Sequence, residues 1–180
     1  SQCKLKIYKM LPFSAKRICS ISDTPCSVHH DGRQVLVTEV ALHIDEVFTM
    51  MFTNSKFVKE INSQRNITEY DISSEWRRDP RSGLKSRQIT FTLPLSGLGP
   101  KESFVTETHT MNNCSKPGVR YSVDVVAENT GVPYADSFTV LFHNCLEKIG
   151  DKLTRISLYG DIKFKKPVWG MVRGKLLLLL

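Results

Sequence analysis

The sequence predicts a single α+β domain in which a long antiparallel sheet carries its helices on one side. Three observations support this. A chain of 180 residues can bury one core of its own. Apolar residues alternate with polar ones in seven successive segments. The connections between the last six segments are short, which favours antiparallel pairing. A composition of 41% hydrophobic and 24% charged residues excludes wholesale disorder, collagen and coiled coil.

The first predicted strand covers residues 35–44, where apolar and polar residues alternate. Asp45 is then predicted to cap a short helix, and Asn54 or Ser55 to begin a second one. The preceding residues, 1–34, lack sustained periodicity and predict a basic arm or linker with little structure of its own. The folded domain is therefore expected to span residues 35–180.

Six further strands follow from the same alternation, with a basic turn at residues 79–83. They are predicted at residues 67–76, 87–93, 102–111, 120–128, 138–142 and 154–164. Pro167 occupies a plausible first position of a C-terminal helix with an apolar stripe. A helix laid across a curved sheet of about seven strands is the helix-grip layout, which leaves an apolar cavity between sheet and helix.

The charge distribution indicates an anionic partner. Of the net charge of +7, the excess lies at the two ends of the chain. A local cluster comprises Arg77, Arg78, Arg81, Lys85 and Arg87. Such a field attracts phospholipid headgroups or nucleic acid, although a basic charge can also serve solubility alone. No aromatic RNA-binding pattern or recognition helix accompanies it, so nucleic acid is not expected as a partner.

The cysteine pattern predicts neither a disulfide framework nor a zinc site. The five cysteines, an odd number with no C-x-x-C pair, are Cys3, Cys19, Cys26, Cys114 and Cys145. This usage suits a reducing compartment. His29 and His30 form an isolated doublet, interpreted as part of a loop without a matching ligand cluster. We therefore expect no bound metal and no cofactor.

Motifs for catalysis and membrane insertion are absent from the sequence. It contains no G-x-S-x-G, H-E-x-x-H, Walker loop or G-x-G-x-x-G. His43, His109 and His143 lie on predicted strands, where a lone histidine is more often structural. No signal peptide is visible, and the longest wholly apolar run, residues 176–180, falls far short of the about 20 residues of a membrane span. We expect no catalytic residues.

Four passages in the right order carry a family resemblance. They are residues 43–57 (HIDEVF, then MFTNSKF), 95–101 (LSGLGPK), 132–138 (VPYADSF) and 166–170 (KPVWG). Over residues 35–175 the chain resembles the VASt domain, the StART-like sterol-transfer module of the Aster/Lam proteins that also carry a GRAM domain. It departs from the family at its end, where the helix is followed by five leucines instead of several further amphipathic turns.

The resemblance implies a cofactor-free, monomeric carrier of sterol between membranes. It also implies a location on the cytosolic face of the endoplasmic reticulum, at contact sites with the plasma membrane, with the anchor outside this chain. The expected partners are a sterol ligand and an anionic membrane surface. Two alternatives stay open: a lipid-sensing module that signals to a partner, and a helix-grip enzyme.

Two groups of site residues are predicted. The pocket-mouth loop is Leu95, Ser96, Gly97, Leu98, Gly99, Pro100 and Lys101. In it, Leu98 is expected to enter a headgroup region while Lys101 meets phosphate; the alternative is an ordinary Gly/Pro turn. The predicted sterol-pocket residues are Phe91, Leu93, Tyr121, Val123, Phe138 and Trp169. For each of these, a place in the plain hydrophobic core is an equally good interpretation.

Overall fold

One antiparallel sheet of eight strands dominates the computed structural model, which describes residues 26, 28, 30–96 and 99–167. The strands are β1 (Arg33–Val40), β2 (Thr68–Asp71), β3 (Arg77–Arg78), β4 (Lys85–Pro94), β5 (Glu102–Met111), β6 (Arg120–Thr130), β7 (Phe138–Gly150) and β8 (Leu153–Phe164). Their order is β1-β8-β7-β6-β5-β4-β2, with β3 paired to β4. The predicted α+β class, with an antiparallel sheet and two short helices in a StART-like helix-grip arrangement, is confirmed.

The first helix, α1 (Ile44–Phe52), is capped by His43. The Nδ1 atom of His43 accepts a hydrogen bond from the backbone amide of Asp45 at 3.3 Å. In return the Glu46 carboxylate accepts one from the backbone amide of His43 at 3.0 Å. The prediction that Asp45 caps this helix, and that His43 belongs to a strand, is therefore wrong. The strand ends earlier, at Val40, and a histidine nitrogen replaces the usual oxygen acceptor.

The second helix, α2 (Lys56–Gln64), begins at Ser55 as predicted. The Ser55 hydroxyl accepts a hydrogen bond from the amide of Val58 at 3.1 Å and donates one to the carbonyl of Met50 at 2.6 Å. The same side chain therefore starts α2 and fixes it to the end of α1. Within the described ranges, no helix is long and apolar enough to cross a membrane.

The strand predicted at residues 67–76 is interrupted in the structure, where β2 and β3 replace it. Glu69 has a left-handed backbone with φ of 52°, and the register of β2 against β4 shifts between Thr68 and Asp71. A non-glycine residue at positive φ disturbs a regular strand, and β2 ends two residues later, at Asp71. The alternation of polar and apolar residues in this segment did not indicate that the strand is interrupted.

The hydrophobic core lies under α1 at one end of the sheet, on the face that we call the inner face. The buried residues of this core are Ile44, Val47, Phe52, Tyr121, Val123, Val125, Leu146 and Ile156. The helix is held there by Asp45, whose carboxylate accepts hydrogen bonds from the Tyr121 hydroxyl at 2.7 Å and the Gly118 amide at 2.8 Å.

The opposite end of the sheet, which we call the loop end, is where three segments meet. The β4–β5 connection, the β6–β7 connection and the end of β8 all lie there, because neighbouring strands run antiparallel. The amide of Lys165 donates to the carbonyl of Ser137 at 2.7 Å, which joins the end of β8 to the β6–β7 connection. The C-terminal helix predicted from Pro167 lies outside the described residues, as does nearly all of the predicted arm 1–34, so the domain boundary stays a prediction.

Candidate functional site

A cavity of about 400 Å³ opens on the inner face at the loop end. Its apolar lining consists of Phe91, Leu93, Leu95, Val105, Ala127, Val132, Pro133, Phe138, Val140, Phe142 and Ile162. These come from β4, β5, β6, β7, β8 and the two connections between them. A volume of this size and a largely apolar wall are typical of pockets for small organic ligands.

The strand register explains why these side chains share one wall. Val105 lies opposite Phe91, and Val140 lies opposite both Ala127 and Ile162. Side chains alternate between the two faces of a strand. Residues two positions before or after each of these therefore also lie on the inner face. The small side chain of Ala127 leaves open space in the middle of the sheet.

Four polar residues interrupt the apolar wall: Arg65, Ser103, Glu107 and Asn129. The single hydroxyl proton of Ser103, a residue only 2% exposed, is shared between the side-chain oxygen of Asn129 at 3.2 Å and the carbonyl of Thr130 at 3.3 Å. Among the described residues the Asn129 amide nitrogen has no hydrogen-bond partner, so it can donate to a ligand oxygen.

Glu107 is the acidic group of the cavity wall, and it is partnered on the α1 side by a histidine. Its carboxylate lies 2.8 Å from the Nε2 atom of the buried His109. The rings of His109 and Phe52 of α1 are nearly perpendicular, with their centroids 5.9 Å apart. This pair therefore marks the boundary between the cavity and the core under α1.

Of the six predicted pocket residues, three line the cavity, two lie elsewhere and one is not described by the structure. Phe91, Leu93 and Phe138 form part of its wall. Tyr121 and Val123 lie in the core under α1, with 7% and 0% of their surface exposed. They face the same side of the sheet as the cavity but at its other end, which α1 covers. Trp169 lies outside the described residues.

The predicted mouth loop, residues 95–101, borders the cavity. Leu95 contributes to its wall, and its amide donates to the carbonyl of Lys101 at 2.7 Å, which closes the loop. Ser96, Gly99, Pro100 and Lys101 are exposed. Gly97 and Leu98 lie outside the described residues. The role of the loop at a membrane stays a prediction.

The β6–β7 connection forms a second side of the mouth, which the predicted site residues do not include. Val132 and Pro133 line the cavity. The next residue, Tyr134, has a left-handed backbone with φ of 62° and 51% of its surface exposed. A large aromatic side chain held outwards at a strained turn beside a cavity is a feature of ligand or surface contact. The signal available in the sequence was the run of apolar residues in a segment that breaks the strand pattern.

The basic cluster predicted at residues 77–87 is only partly a surface feature. Arg77, Arg78, Arg81 and Lys85 are exposed, but Arg87 is 8% exposed. Its guanidinium lies 4.6 Å from the centre of the Trp76 ring and donates to the carbonyl of Phe52 at 2.7 Å. Burial lowers the pKa of Arg87. Arg87 therefore joins the end of α1 to β4 and does not contribute to an exposed basic patch.

We call the face of the sheet opposite the inner face the outer face. The position of His30 there differs from the prediction. This residue is not an isolated loop histidine, because the structure brings it together with Cys26, His143 and Cys145. One nitrogen or sulfur atom of each lies within 4.8 Å of those of the other three. The pairing of distant segments creates this group, so the spacing in the sequence gave no signal of it.

The chain is similar to proteins of a known family. The family model of the VASt domain, described as "VAD1 Analog of StAR-related lipid transfer domain", matches residues 34–176. Protein Aster-B of Mus musculus is 29% identical over 143 residues, which cover 79% of this chain and 19% of that protein. Protein Aster-A of Homo sapiens is 26% identical over 144 residues, which cover 79% of this chain and 20% of that protein.

The chain thus spans about a fifth of the length of the curated relatives that it matches. The family match covers most of the chain and includes every strand from β2 to β8. The family resemblance carried by the four sequence passages is confirmed: the chain belongs to the VASt family of StAR-related lipid-transfer domains.

Proposed function

We propose that this domain binds a sterol in the inner-face cavity and transfers it between membranes without catalysing a reaction. The observation that carries the proposal is the cavity itself, an apolar pocket with few polar groups at the loop end of the sheet. Membership of a lipid-transfer family supports the same class of ligand.

The energetics of the cavity suit a reversible carrier. Burial of about 300 Å² of apolar ligand surface would contribute roughly 7 kcal/mol at about 25 cal/mol per Å². Part of that free energy is offset by the loss of ligand motion on binding. The net binding free energy is therefore smaller than the hydrophobic contribution alone, as a carrier that must release its ligand requires.

The polar residues of the wall provide a place for the single hydroxyl of a sterol. Asn129 has a donor available, and the Glu107 carboxylate can accept a second hydrogen bond besides the one it shares with His109. Because an unpaired polar group is costly in an apolar site, one such contact is enough to set the orientation of the ligand.

The mouth of the cavity is proposed to touch the membrane. Tyr134 on one side is exposed, and on the other side the loop 95–101 offers Lys101 and the predicted tip residue Leu98. An aromatic or leucine side chain can enter the headgroup region while a lysine stem extends its amine towards phosphate. The proposed surface is anionic, and the proposed working state is a monomer.

The cellular location is part of the same proposal. The family resemblance favours the cytosolic face of the endoplasmic reticulum at contact sites with the plasma membrane. A carrier that works between two closely apposed membranes needs only brief contact with each. The parts that would anchor the protein are expected outside the VASt match.

Transfer of a fluorescent sterol between liposomes tests this function. The chain is added to donor and acceptor vesicles that contain anionic phospholipid, and the bound species is identified by mass spectrometry after extraction. We expect net transfer well above the spontaneous rate. The variants Leu98→Asp and Lys101→Ala should slow it, whereas Leu42→Asp, an exposed position at the α1 end of the sheet, should not.

The same experiment separates the alternatives. Slow exchange of bound sterol without net transfer would identify a lipid sensor, and chemical conversion of the ligand would identify an enzyme. A chain that neither binds nor moves sterol contradicts the proposal.

A further inference from the structure

Four side chains of metal-binding type converge on the outer face of the sheet, away from the cavity. His143 and Cys145 are two positions apart on β7, so they point to the same face, opposite to Phe142 and Val140 of the cavity wall. Cys26 and His30 approach them from the segment before β1. All four ligand atoms lie within 4.8 Å of one another.

The orientation of His143 is the strongest sign of a ligand site. Its Nδ1 atom lies 2.6 Å from a carboxylate oxygen of Asp124. Its Nε2 atom is buried and has no hydrogen-bond partner among the described residues, in a residue that is only 7% exposed. A histidine held by a carboxylate through one nitrogen, with the other nitrogen left for an ion, is the usual arrangement around protein-bound zinc.

A second layer of hydrogen bonds holds the carboxylate in place. The side-chain amide of Asn112 donates to the other oxygen of Asp124 at 3.0 Å and to the hydroxyl of Ser122 at 3.1 Å. The thiol of Cys26 lies 3.6 Å from the same Ser122 hydroxyl. Across β6 and β7, Asp124 pairs with His143 and Ser122 pairs with Cys145. The strand register therefore places each of these two ligands beside a residue of the hydrogen-bond network.

We propose that Cys26, His30, His143 and Cys145 bind one Zn²⁺ ion in a tetrahedral site with two sulfur and two nitrogen ligands. Zinc bond lengths of about 2.3 Å to sulfur and about 2.0 Å to nitrogen give ligand separations of about 3.3–3.8 Å in a tetrahedron. Any separation close to the 4.8 Å limit must therefore contract by about 1 Å when the ion binds. The exposed His30 lies in a segment outside the sheet and can make that adjustment.

The ion would fasten the segment before β1 to the middle of the sheet. Cys26 and His30 precede the edge strand β1, whereas His143 and Cys145 belong to a central strand. Since a metal that binds only the folded chain stabilises it, Zn²⁺ should raise the melting temperature of the protein. The inference does not depend on the proposed lipid function, because the two sites lie on opposite faces.

The competing arrangement is a disulfide between Cys26 and Cys114, whose sulfur atoms are 3.6 Å apart. The group of four ligands does not include Cys114. Replacement of Cys114 therefore distinguishes the two: it removes any such disulfide and leaves the proposed ligand set intact.

The test is metal binding by the whole 180-residue chain, kept reduced and stripped of metal. Zn²⁺ is titrated in competition with a chromophoric chelator, and Co²⁺ is used as a spectroscopic substitute. We expect one ion per chain, the intense visible bands of tetrahedral Co²⁺ and a sulfur-to-cobalt charge-transfer band. Asp124→Asn, a positioning variant, should weaken binding by about 10- to 100-fold, as such outer partners do.

Variants of the segment outside the sheet decide the ligand set without disturbing the fold. Cys26→Ser and His30→Ala should each weaken Zn²⁺ binding by more than about 100-fold and abolish the Zn²⁺-dependent rise in melting temperature, with circular dichroism unchanged. Cys114→Ser should bind as the wild type does. Absence of binding by the wild type, an octahedral Co²⁺ spectrum, or equal loss in Cys114→Ser would overturn the proposal.

Discussion

The phenolic hydroxyl of Tyr121 donates a hydrogen bond of 2.7 Å to the carboxylate of Asp45, and this contact joins β6 to the first turn of α1. Burial, reinforced by the neighbouring carboxylate, raises the pKa of Tyr121 to about 12. The helix therefore covers one end of the inner face at a fixed position, and the cavity begins where the helix ends.

Removal of that hydroxyl should weaken the fold and leave the cavity intact. We expect Tyr121→Phe to lower the free energy of unfolding by about 1–2 kcal/mol, because the carboxylate loses a donor in a partly buried site. Urea denaturation measures the change, with Tyr134→Phe as the control at an exposed tyrosine. Unchanged stability together with lost sterol binding would instead place Tyr121 in the pocket.

Asp45 should make the same contact sensitive to acid. Burial by itself would raise the pKa of Asp45, but hydrogen bonds from Tyr121 and Gly118 outweigh it and hold that pKa below the ordinary value of 3.8. A carboxyl with a depressed pKa stabilises the folded state above its unfolded pKa, and that stability is lost as the pH falls through the folded pKa.

The comparison of wild type with Asp45→Asn measures this effect. The difference in unfolding free energy should be constant above pH of about 5 and should shrink as the pH is lowered further. A difference that persists undiminished at the lowest pH would show that the charge of Asp45 is not what stabilises α1.

The sequence predicts which side of the sheet each side chain faces. It does not predict whether that side chain lies under α1 or in the cavity. Tyr121, Val123 and Ala127 share one parity on β6, and alternation correctly assigns them to one side. Only the packing of α1 decides that the first two enter the core and that Ala127 lines the cavity. The area that α1 covers depends on its length and on the contacts that hold it. The two-residue alternation along a strand does not encode either.

The ligand group on the outer face illustrates a second limit of the sequence. His143 and Cys145 are adjacent on one face of β7, but Cys26 and His30 are more than a hundred residues away. Spacing rules for metal sites recognise ligands that are close in sequence. A group assembled by strand pairing becomes visible only once the chain is folded.

The polar part of the cavity should set the preference for a hydroxylated sterol. We expect Asn129→Leu to weaken binding of a sterol that carries a hydroxyl by about tenfold, the loss of about one hydrogen bond. Binding of the same ring system without the hydroxyl should change little, and this ligand is the control. Ser103 keeps its hydrogen bond to the carbonyl of Thr130, so the strand pairing is preserved. An equal loss for both ligands would contradict the assignment.

Contact with the membrane should depend on salt. If Lys101 and the basic ends of the chain meet anionic headgroups, sterol transfer should slow as the ionic strength rises, since the Debye length falls from about 10 Å at 0.1 M to about 3 Å at 1 M. Vesicles of neutral phosphatidylcholine alone should show a slower rate with little salt dependence. Equal rates on neutral and anionic vesicles would rule out an electrostatic contribution to membrane contact.

Sterol binding by two matched tryptophan variants shows whether the ligand occupies the inner-face cavity. Val140 lines the cavity, whereas Val126 lies half-buried on the outer face of the neighbouring strand β6. Fluorescent-sterol titration should show that Val140→Trp, which fills the cavity, loses binding by at least about tenfold while Val126→Trp binds as the wild type does. Full binding by a folded Val140→Trp protein would contradict the placement of the ligand in this cavity.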